Sequence, residues 1–138
     1  MKKIRVLVVD DSVVIRRLLT DILSQDPEIE LAGTAPNGRI ALAKLPQINP
    51  DLVTLDVEMP RLDGLATLER LMVSQPTPVV MVSSLTREGA DATIRALELG
   101  AIDFIEKPAL GDDLIAKVRH AAHARVQAHV AGAVVPRP

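Results

Sequence analysis

The chain has 138 residues, enough for one domain of ordinary size and a short tail. With 48% hydrophobic and 25% charged residues, it has the composition of a folded protein, which excludes the disordered and fibrous classes. The net charge of −2 argues against a nucleic-acid binder that works by counterion release, and the absence of cysteine excludes disulfides, thiolate zinc sites and cysteine nucleophiles.

The amino-terminal apolar run bears on where the protein works. Ile4 to Val9 contains Arg5 and stops at Asp10, so the run is too short for a signal sequence or a membrane span. We therefore expect a cytoplasmic protein that does not insert into a membrane.

Five short runs rich in Val, Ile and Leu predict β-strands. Apart from single charged residues, they lack the polar alternation of a strand with one wet face, which is typical of parallel sheets covered on both sides. The runs are Ile4 to Val9, Ile29 to Ala35, Leu52 to Leu55, Val79 to Val82 and Ile102 to Ile105.

Segments with helical periodicity lie between and after these runs. The alternation predicts βα repeats with right-handed crossovers, hence an α/β fold with a doubly wound, five-stranded open parallel sheet and helices on both faces. The predicted helical stripes are Ile15, Leu18, Leu19 and Ile22 behind a cap at Ser12; Leu65, Leu68, Leu71 and Met72 after Asp63-Gly64; Ala90, Ile94, Leu97 and Ala101; and Leu114, Ile115, Val118, Ala121 and Ala122, with a shorter helix from Asn37 to Leu45.

The carboxyl-terminal residues differ from the rest of the chain. Residues 131–138 contain Gly132, Pro136 and Pro138 and show no apolar period. We expect residues 1–130 to form one domain and residues 131–138 to begin an interdomain linker.

Polar residues follow four of the five predicted strands. Asp10 and Asp11 follow the first, Asp56 the third, Ser83 the fourth and Lys107 the fifth. In an open parallel sheet the ligand site lies at the carboxyl ends of the strands, so these groups converge if their strands are neighbours. The three carboxylates and one ammonium sum to −2, which favours a divalent cation, and oxygen ligands suit Mg²⁺ better than zinc. Such a set of groups is typical of sites that handle phosphoryl groups.

Each of these residues also has a simpler interpretation. Asp10-Asp11-Ser12 is a common way to cap a helix, Asp56 fits a turn, and a lysine before a proline, as at Lys107, usually lies in a solvated turn. Their coincidence at four strand ends favours a functional site over four separate structural roles.

In these motifs the sequence resembles the receiver domains of two-component response regulators. Within that family it is similar to the receivers of chemotaxis protein-glutamate methylesterases of the CheB type, which implies a flavodoxin-like sheet of strand order 2-1-3-4-5. The resemblance covers about Ile4 to Ala128. It rests on Val8-Val9-Asp10-Asp11-Ser12, Leu55-Asp56-Val57-Glu58-Met59-Pro60, Asp63-Gly64, Gly33-Thr34-Ala35, Ser83, the stretch from Pro78 to Asp103-Phe104, and Lys107-Pro108.

The resemblance implies a role for each matching residue. Asp56 is expected to accept a phosphoryl group from a chemotaxis-type histidine kinase. Asp11, Asp56 and the backbone carbonyl of Glu58 are expected to bind Mg²⁺ directly, and Asp10 through water. Lys107 is expected to pair with a phosphoryl oxygen, and Ser83 to move in and donate a hydrogen bond once that group is present.

Two further positions carry open alternatives. Phe104 lies where the family often places a switch aromatic, and it has no hydroxyl, so any switch here works through packing; filling the edge of the core is an equal alternative. The side chain of Glu58 could perturb metal affinity or a hydrolytic water, although a solvated turn residue is the preferred interpretation.

The family resemblance also implies an output domain that is absent from these 138 residues. In full-length members of the family a serine hydrolase domain follows the linker and hydrolyses glutamate methyl esters on chemoreceptors. We expect this fragment to be regulatory and not itself an enzyme, with its output domain docked near Arg95, Phe104 and the last helix. The alternatives are a stand-alone receiver acting as an adaptor or phosphate sink and, less favoured, an aspartyl-phosphate phosphatase, which needs a second Asp where Ser12 stands.

Overall fold

The computed structural model describes residues 3–59, 63–84, 86–107 and 112–132, and within the last helix it describes the side chains of residues 113–123. Pro60, Pro108 and residues 133–138 of the predicted linker lie outside the described residues, whereas residues 131 and 132, also predicted to belong to the linker, end the last helix.

Five parallel strands form a single sheet in the order β2-β1-β3-β4-β5, which confirms the predicted topology. The first two strands have the predicted bounds, the next two each end one residue later, and the last is shifted by one residue. The strands are β1 Ile4–Val9, β2 Ile29–Ala35, β3 Leu52–Asp56, β4 Val79–Ser83 and β5 Asp103–Glu106.

Five helices alternate with the strands, and side-chain caps begin the first four of them. Ser12, Asn37, Asp63 and Thr86 each accept a hydrogen bond from the backbone N–H three residues later. The helices are α1 Val13–Leu23, α2 Gly38–Ile48, α3 Gly64–Ser74, α4 Arg87–Glu98 and α5 Asp112–Gly132.

Three of the helix predictions need correction. Helix α2 continues past the predicted end at Leu45 because Pro46 is tolerated in its last turns, and the helix ends at Asn49 in a left-handed conformation with φ 48°. The apolar stripe predicted for α4 is wrong: Ile94 is 60% exposed, and the helix packs through Gly89, Thr93 and Ala96. These smaller residues bring α4 close to the sheet, which leaves the larger aliphatic side chains outside. Leu18 of the α1 stripe is also exposed.

The core consists of two apolar layers, one on each face of the sheet. Alternate residues along β1 enter opposite layers, so Leu7 and Val9 meet α2, α3 and α4 while Val6 and Val8 meet α1 and α5. Both faces of the central strands are buried, as the nearly unbroken apolar runs predicted. Within the part of the chain that the structure describes, no helix has the length and apolar character needed to cross a membrane.

Candidate functional site

Three carboxylates meet where β1 and β3 end. These strands are hydrogen-bonded neighbours at the centre of the sheet, and the side chains of Asp10, Asp11 and Asp56 follow or end them. One carboxylate oxygen from each lies within 4.8 Å of the others. Asp10 and Asp56 are fully buried, and Asp11 is exposed. The structure thus brings together the three acidic residues that the sequence pattern singled out.

The turn after β1 fixes the position of Asp10. Its Oδ1 accepts a hydrogen bond from the backbone N–H of Ser12 at 2.9 Å, and its carbonyl accepts one from Arg16 at 2.7 Å. The hydroxyl of Ser12 in turn caps α1 by accepting from the Ile15 N–H. The capping interpretation is therefore correct for Ser12, whereas the Asp10 carboxylate accepts from the Ser12 N–H and does not cap the helix.

Asp56 is held at the end of β3 by two contacts to its Oδ1. The Glu58 N–H donates to this oxygen at 3.1 Å, and the Lys107 ammonium lies 3.4 Å from it. The start of α3 packs against the same strand end, because a Cβ on Gly64 would overlap the carbonyl oxygen of Asp56. Lys107 therefore lies at the site and pairs with Asp56, and a solvated turn does not account for its contacts.

The remaining oxygens of the two buried carboxylates have no partner. Among the described residues, Oδ2 of Asp10 and Oδ2 of Asp56 are buried and accept no hydrogen bond. Leaving a buried polar atom without a partner costs roughly 1–3 kcal/mol, so each such atom calls for an explanation, and a bound ion is one that suits a carboxylate. Two unpaired carboxylate oxygens beside a third carboxylate form an all-oxygen donor set that fits Mg²⁺.

Burial and mutual repulsion make the charged state of this site unfavourable when no cation is bound. Burial is the main cause that raises the pKa of Asp56 to about 7, and the neighbouring Asp10 raises it further. Burial likewise raises the pKa of Asp10, with Asp11 adding to the effect. The nearby Lys107 ammonium lowers both pKa values, but by less than burial raises them. A divalent cation held by these carboxylates would favour the ionised form of both groups.

Ser83 lies at the same edge of the sheet. It is the last residue of β4, it is buried, and it pairs in register with Glu106 of β5. The residue before it, Val82, pairs with Asp56. Ser83 is therefore one residue beyond the neighbour of Asp56 along the adjacent strand.

Phe104 is partly buried at the edge of the layer formed with α2, α3 and α4. The ammonium of Lys117, from α5, lies 5.3 Å from the centroid of the Phe104 ring and 3.2 Å from Oδ1 of Asp103. No local pattern predicts the contact of Lys117 with Phe104, because it depends on how α5 crosses β5. The ring thus has a cationic neighbour in addition to the core packing expected of it.

The side chain of Glu58 is exposed, but solvent is not its only contact. Its Oε1 accepts hydrogen bonds from the hydroxyls of Ser84, at 2.7 Å, and Thr86, at 3.3 Å. This differs from the preferred interpretation of Glu58 as a solvated turn residue. No local pattern signals the contact, because its partners lie 26 and 28 residues away.

The match to a protein family covers nearly the whole described fold. Residues 6–119 match the model of the response regulator receiver domain. The chain belongs to the response regulator receiver family. The acidic cluster at the carboxyl edge of the sheet is thus the acidic pocket of a receiver domain, the place where members of this family bind Mg²⁺.

Comparison with individual relatives shows which type of receiver this chain resembles. The chain is 53% identical over 134 residues to protein-glutamate methylesterase/protein-glutamine glutaminase 1 of Xanthomonas campestris, an alignment that covers 91% of this chain and 37% of the relative. It is 56% identical over 132 residues to the corresponding protein of Symbiobacterium thermophilum, covering 89% of this chain and 36% of the relative. Both matches fall on the receiver region, so the chain spans a little over a third of these relatives.

A solved structure agrees with this assignment. The response regulator domain of Thermotoga maritima CheB superimposes on the receiver with a TM-score of 0.81 at 44% identity, covering 88% of this chain and 98% of that domain. The receiver is therefore of the CheB methylesterase type, and it belongs to two-component signalling. The resemblance stated from the sequence motifs is confirmed.

Proposed function

We propose that this receiver accepts a phosphoryl group on Asp56 from a chemotaxis-type histidine kinase and thereby regulates a protein-glutamate methylesterase output domain. The observation that carries the proposal is the pair of buried, unpaired carboxylate oxygens of Asp10 and Asp56 beside the Asp11 carboxylate. Such an arrangement is unfavourable for stability alone, so it needs a ligand to account for it.

The nucleophile of the transfer is the carboxylate of Asp56. One of its oxygens forms a bond to phosphorus while the bond between phosphorus and the kinase imidazole nitrogen breaks, and the nitrogen keeps the electron pair. The reaction needs the ionised form of Asp56, whose pKa burial raises to about 7. Positive charge at the site therefore favours the reactive form as well as the product.

We assign the magnesium ligands to Asp11, Asp56 and the backbone carbonyl of Glu58, with Asp10 acting through water. When bound, Mg²⁺ neutralises charge on the carboxylates and the phosphoryl oxygens. The burial of Asp10 and the exposure of Asp11 support this division, because Asp11 is open to solvent and ions while Asp10 is partly committed to the Ser12 N–H.

Lys107 and Ser83 complete the site in this proposal. Phosphorylation replaces a charge of about −1 on Asp56 with roughly −2 and adds acceptor oxygens. Lys107, which contacts Asp56 at 3.4 Å, pairs with one of these oxygens. Ser83 moves toward another and donates a hydrogen bond. Phe104, next to Lys117, changes its packing in response.

The output domain is proposed to dock on the face formed by α4, β5 and α5. Ile94 and Leu97 on α4 and Ile102 before β5 are 60%, 39% and 41% exposed, an apolar surface that supports docking beside Arg95. The unphosphorylated receiver covers the methylesterase active site, and phosphorylation weakens that contact, as a coupling of about 1–3 kcal/mol allows. In this proposal the receiver affects chemoreceptors indirectly, through the output domain, and the protein acts in the cytoplasm.

Intact mass spectrometry after incubation with acetyl phosphate tests the phosphoacceptor. The chain contains no Trp or Tyr, so a fluorescence assay on the native protein is not an option. We expect one added phosphoryl group that requires Mg²⁺ and is absent from Asp56→Asn. The matched control is Asp26→Asn, which alters a buried aspartate at the opposite edge of the sheet and should be labelled like the wild type. Absence of labelling in folded wild-type protein would contradict the proposal.

A further inference from the structure

The Glu58 side chain joins two loops beside the acidic site. Glu58 belongs to the segment after β3, and its Oε1 accepts hydrogen bonds from Ser84 and Thr86 in the segment between β4 and α4. The two hydroxyls also lie 3.1 Å from each other. One carboxylate oxygen thus holds both ends of a short segment that begins directly after Ser83.

The same network extends into the first turn of α4. The Thr86 hydroxyl caps this helix by accepting a hydrogen bond from the Gly89 N–H at 2.9 Å. A Cβ on Gly89 would lie 2.8 Å from the Ser84 carbonyl oxygen and 3.0 Å from Oε1 of Glu58. The absence of a side chain at Gly89 is therefore what allows α4 to begin this close to the Glu58 carboxylate.

The charge of Glu58 suits this position. The amino terminus of a helix carries a partial positive charge that favours a nearby carboxylate. Hydrogen bonds to an ionised acceptor are also stronger than those between neutral groups. Both effects stabilise the contacts that the Glu58 carboxylate makes with Ser84 and Thr86.

We infer that Glu58 is a positioning residue that restrains the segment between β4 and α4 and so slows phosphorylation of Asp56. The inference rests on the proposed function, in which Ser83 moves toward the phosphoryl group. Ser84 follows Ser83 directly, so we expect the 2.7 Å bond between Ser84 and Glu58 to oppose any movement of the backbone at Ser83. Removal of the Glu58 carboxylate therefore frees the segment and lowers the barrier to the movement.

Two measurements on the same variants test the inference. Amide hydrogen exchange at Gly89, followed by NMR without a phosphodonor, reports the restraint itself. The initial rate of labelling by acetyl phosphate with saturating Mg²⁺ reports its effect on phosphorylation. The variants are Glu58→Ala, which removes the carboxylate, Glu58→Gln, which keeps an acceptor oxygen without the charge, and Gly89→Ala, which forces the two segments apart. The matched control is Glu88→Gln, which removes an exposed charge in the first turn of the same helix.

We expect Glu58→Ala to raise exchange at Gly89 and the rate of labelling by about three- to tenfold, the effect of losing one or two hydrogen bonds at the surface. Glu58→Gln should give smaller increases in both, and Glu88→Gln should match the wild type. Gly89→Ala should raise the rate of labelling as Glu58→Ala does, and it should raise exchange at position 89 after correction for the intrinsic rate of alanine.

Three results would overturn the inference. Unchanged exchange at Gly89 in Glu58→Ala would show that no restraint exists. Equal labelling rates in Glu58→Gln and Glu58→Ala, with exchange raised only in the latter, would assign the effect to charge. Faster exchange without faster labelling would show that the restraint does not oppose phosphorylation. Loss of labelling in the wild type as well would instead refute the proposed function, because exchange reports the restraint independently.

Discussion

Two buried aspartates at opposite edges of the sheet show how differently the fold treats the same side chain. Asp56, at the carboxyl edge, keeps one oxygen without a partner, and its pKa is raised to about 7. Asp26, in the loop before β2, has both oxygens bound: Arg119 donates to them at 2.7 and 2.9 Å, and the Glu28 N–H donates at 2.8 Å. These hydrogen bonds, those of Arg119 first, lower the pKa of Asp26.

The difference separates a structural carboxylate from one prepared for a ligand. Arg119 also pairs with Glu28 at 2.7 Å, so a single guanidinium from α5 ties down the loop between α1 and β2. Lys107 gives Asp56 one longer contact of 3.4 Å and leaves the other oxygen free. Incomplete pairing lowers the stability of the protein at this site, and the proposed binding of a cation and a phosphoryl group would offset that loss.

The largest effect on stability is expected from the substitution Asp56→Asn, measured with Mg²⁺ removed by a chelator. The variant abolishes labelling, yet we expect it to raise the free energy of unfolding at pH 8 by about 2 kcal/mol, because it removes a buried charge whose ionisation is unfavourable. Urea denaturation measures the change. Reduced stability of the variant would show that the pair with Lys107 outweighs burial and repulsion at this site.

The pH dependence of the stability difference between Asp56→Asn and the wild type follows from the direction in which folding shifts the pKa of Asp56. The pKa of Asp56 rises from an ordinary 3.8 to about 7 on folding, so the folded state binds more protons than the unfolded state between these values. The stability of the wild type therefore falls as pH rises from about 4 to 7, relative to the variant. The greater stability of Asp56→Asn relative to the wild type should reach its full size above pH 7 and vanish near pH 4.

A third buried oxygen, that of a threonine hydroxyl, tests whether the lack of a hydrogen-bond partner is enough to lower the stability of the protein. Thr54 of β3 is fully buried, and its hydroxyl has no partner among the described residues. Replacement by the isosteric valine removes the unpaired hydroxyl, so we expect Thr54→Val to stabilise the protein by about 1 kcal/mol without affecting phosphorylation. The control is Thr93→Val, because the hydroxyl of Thr93, which is also buried, donates to the Gly89 carbonyl at 2.8 Å. Stabilisation of both variants would argue against a role for pairing.

The smallest effect is expected for Arg119→Met, because the guanidinium is 45% exposed. The variant should be less stable than the wild type at pH 7. Since the folded-state pKa of Asp26 is lowered, its contribution is present above the unfolded value near 4 and is lost as pH falls through the folded value. The two proteins should therefore converge in strong acid. Urea midpoints across pH, with the exposed Arg70→Met as control, check this; a constant difference at all pH values would contradict it.

Much of the candidate site was predictable because it lies at strand ends. Apolar runs mark where parallel strands stop, and the carboxyl ends of such strands share one edge, so Asp10, Asp56 and Lys107 could be placed together. The same approach failed for α4, where the apolar period of Ile94 and Leu97 marks an exposed face. A period shows that a helix has two faces, but which one packs depends on how closely the helix approaches the sheet. Local sequence patterns also cannot predict the contact between Glu58 and Ser84 or the contact between Lys117 and Phe104.

The sequence by itself determined the order of strands and helices along the chain, the cap at Ser12 and the family, because these depend on neighbouring residues and on motifs. Only the tertiary structure decided which aspartates are paired. Asp26 and Arg119 are 93 residues apart in the chain, and their contact depends on α5 packing beside α1. Asp56 acquires its raised pKa through burial beside Asp10, a neighbour from another strand. Pairing and desolvation depend on distances in space, and those exist only after the sheet and its helices have assembled.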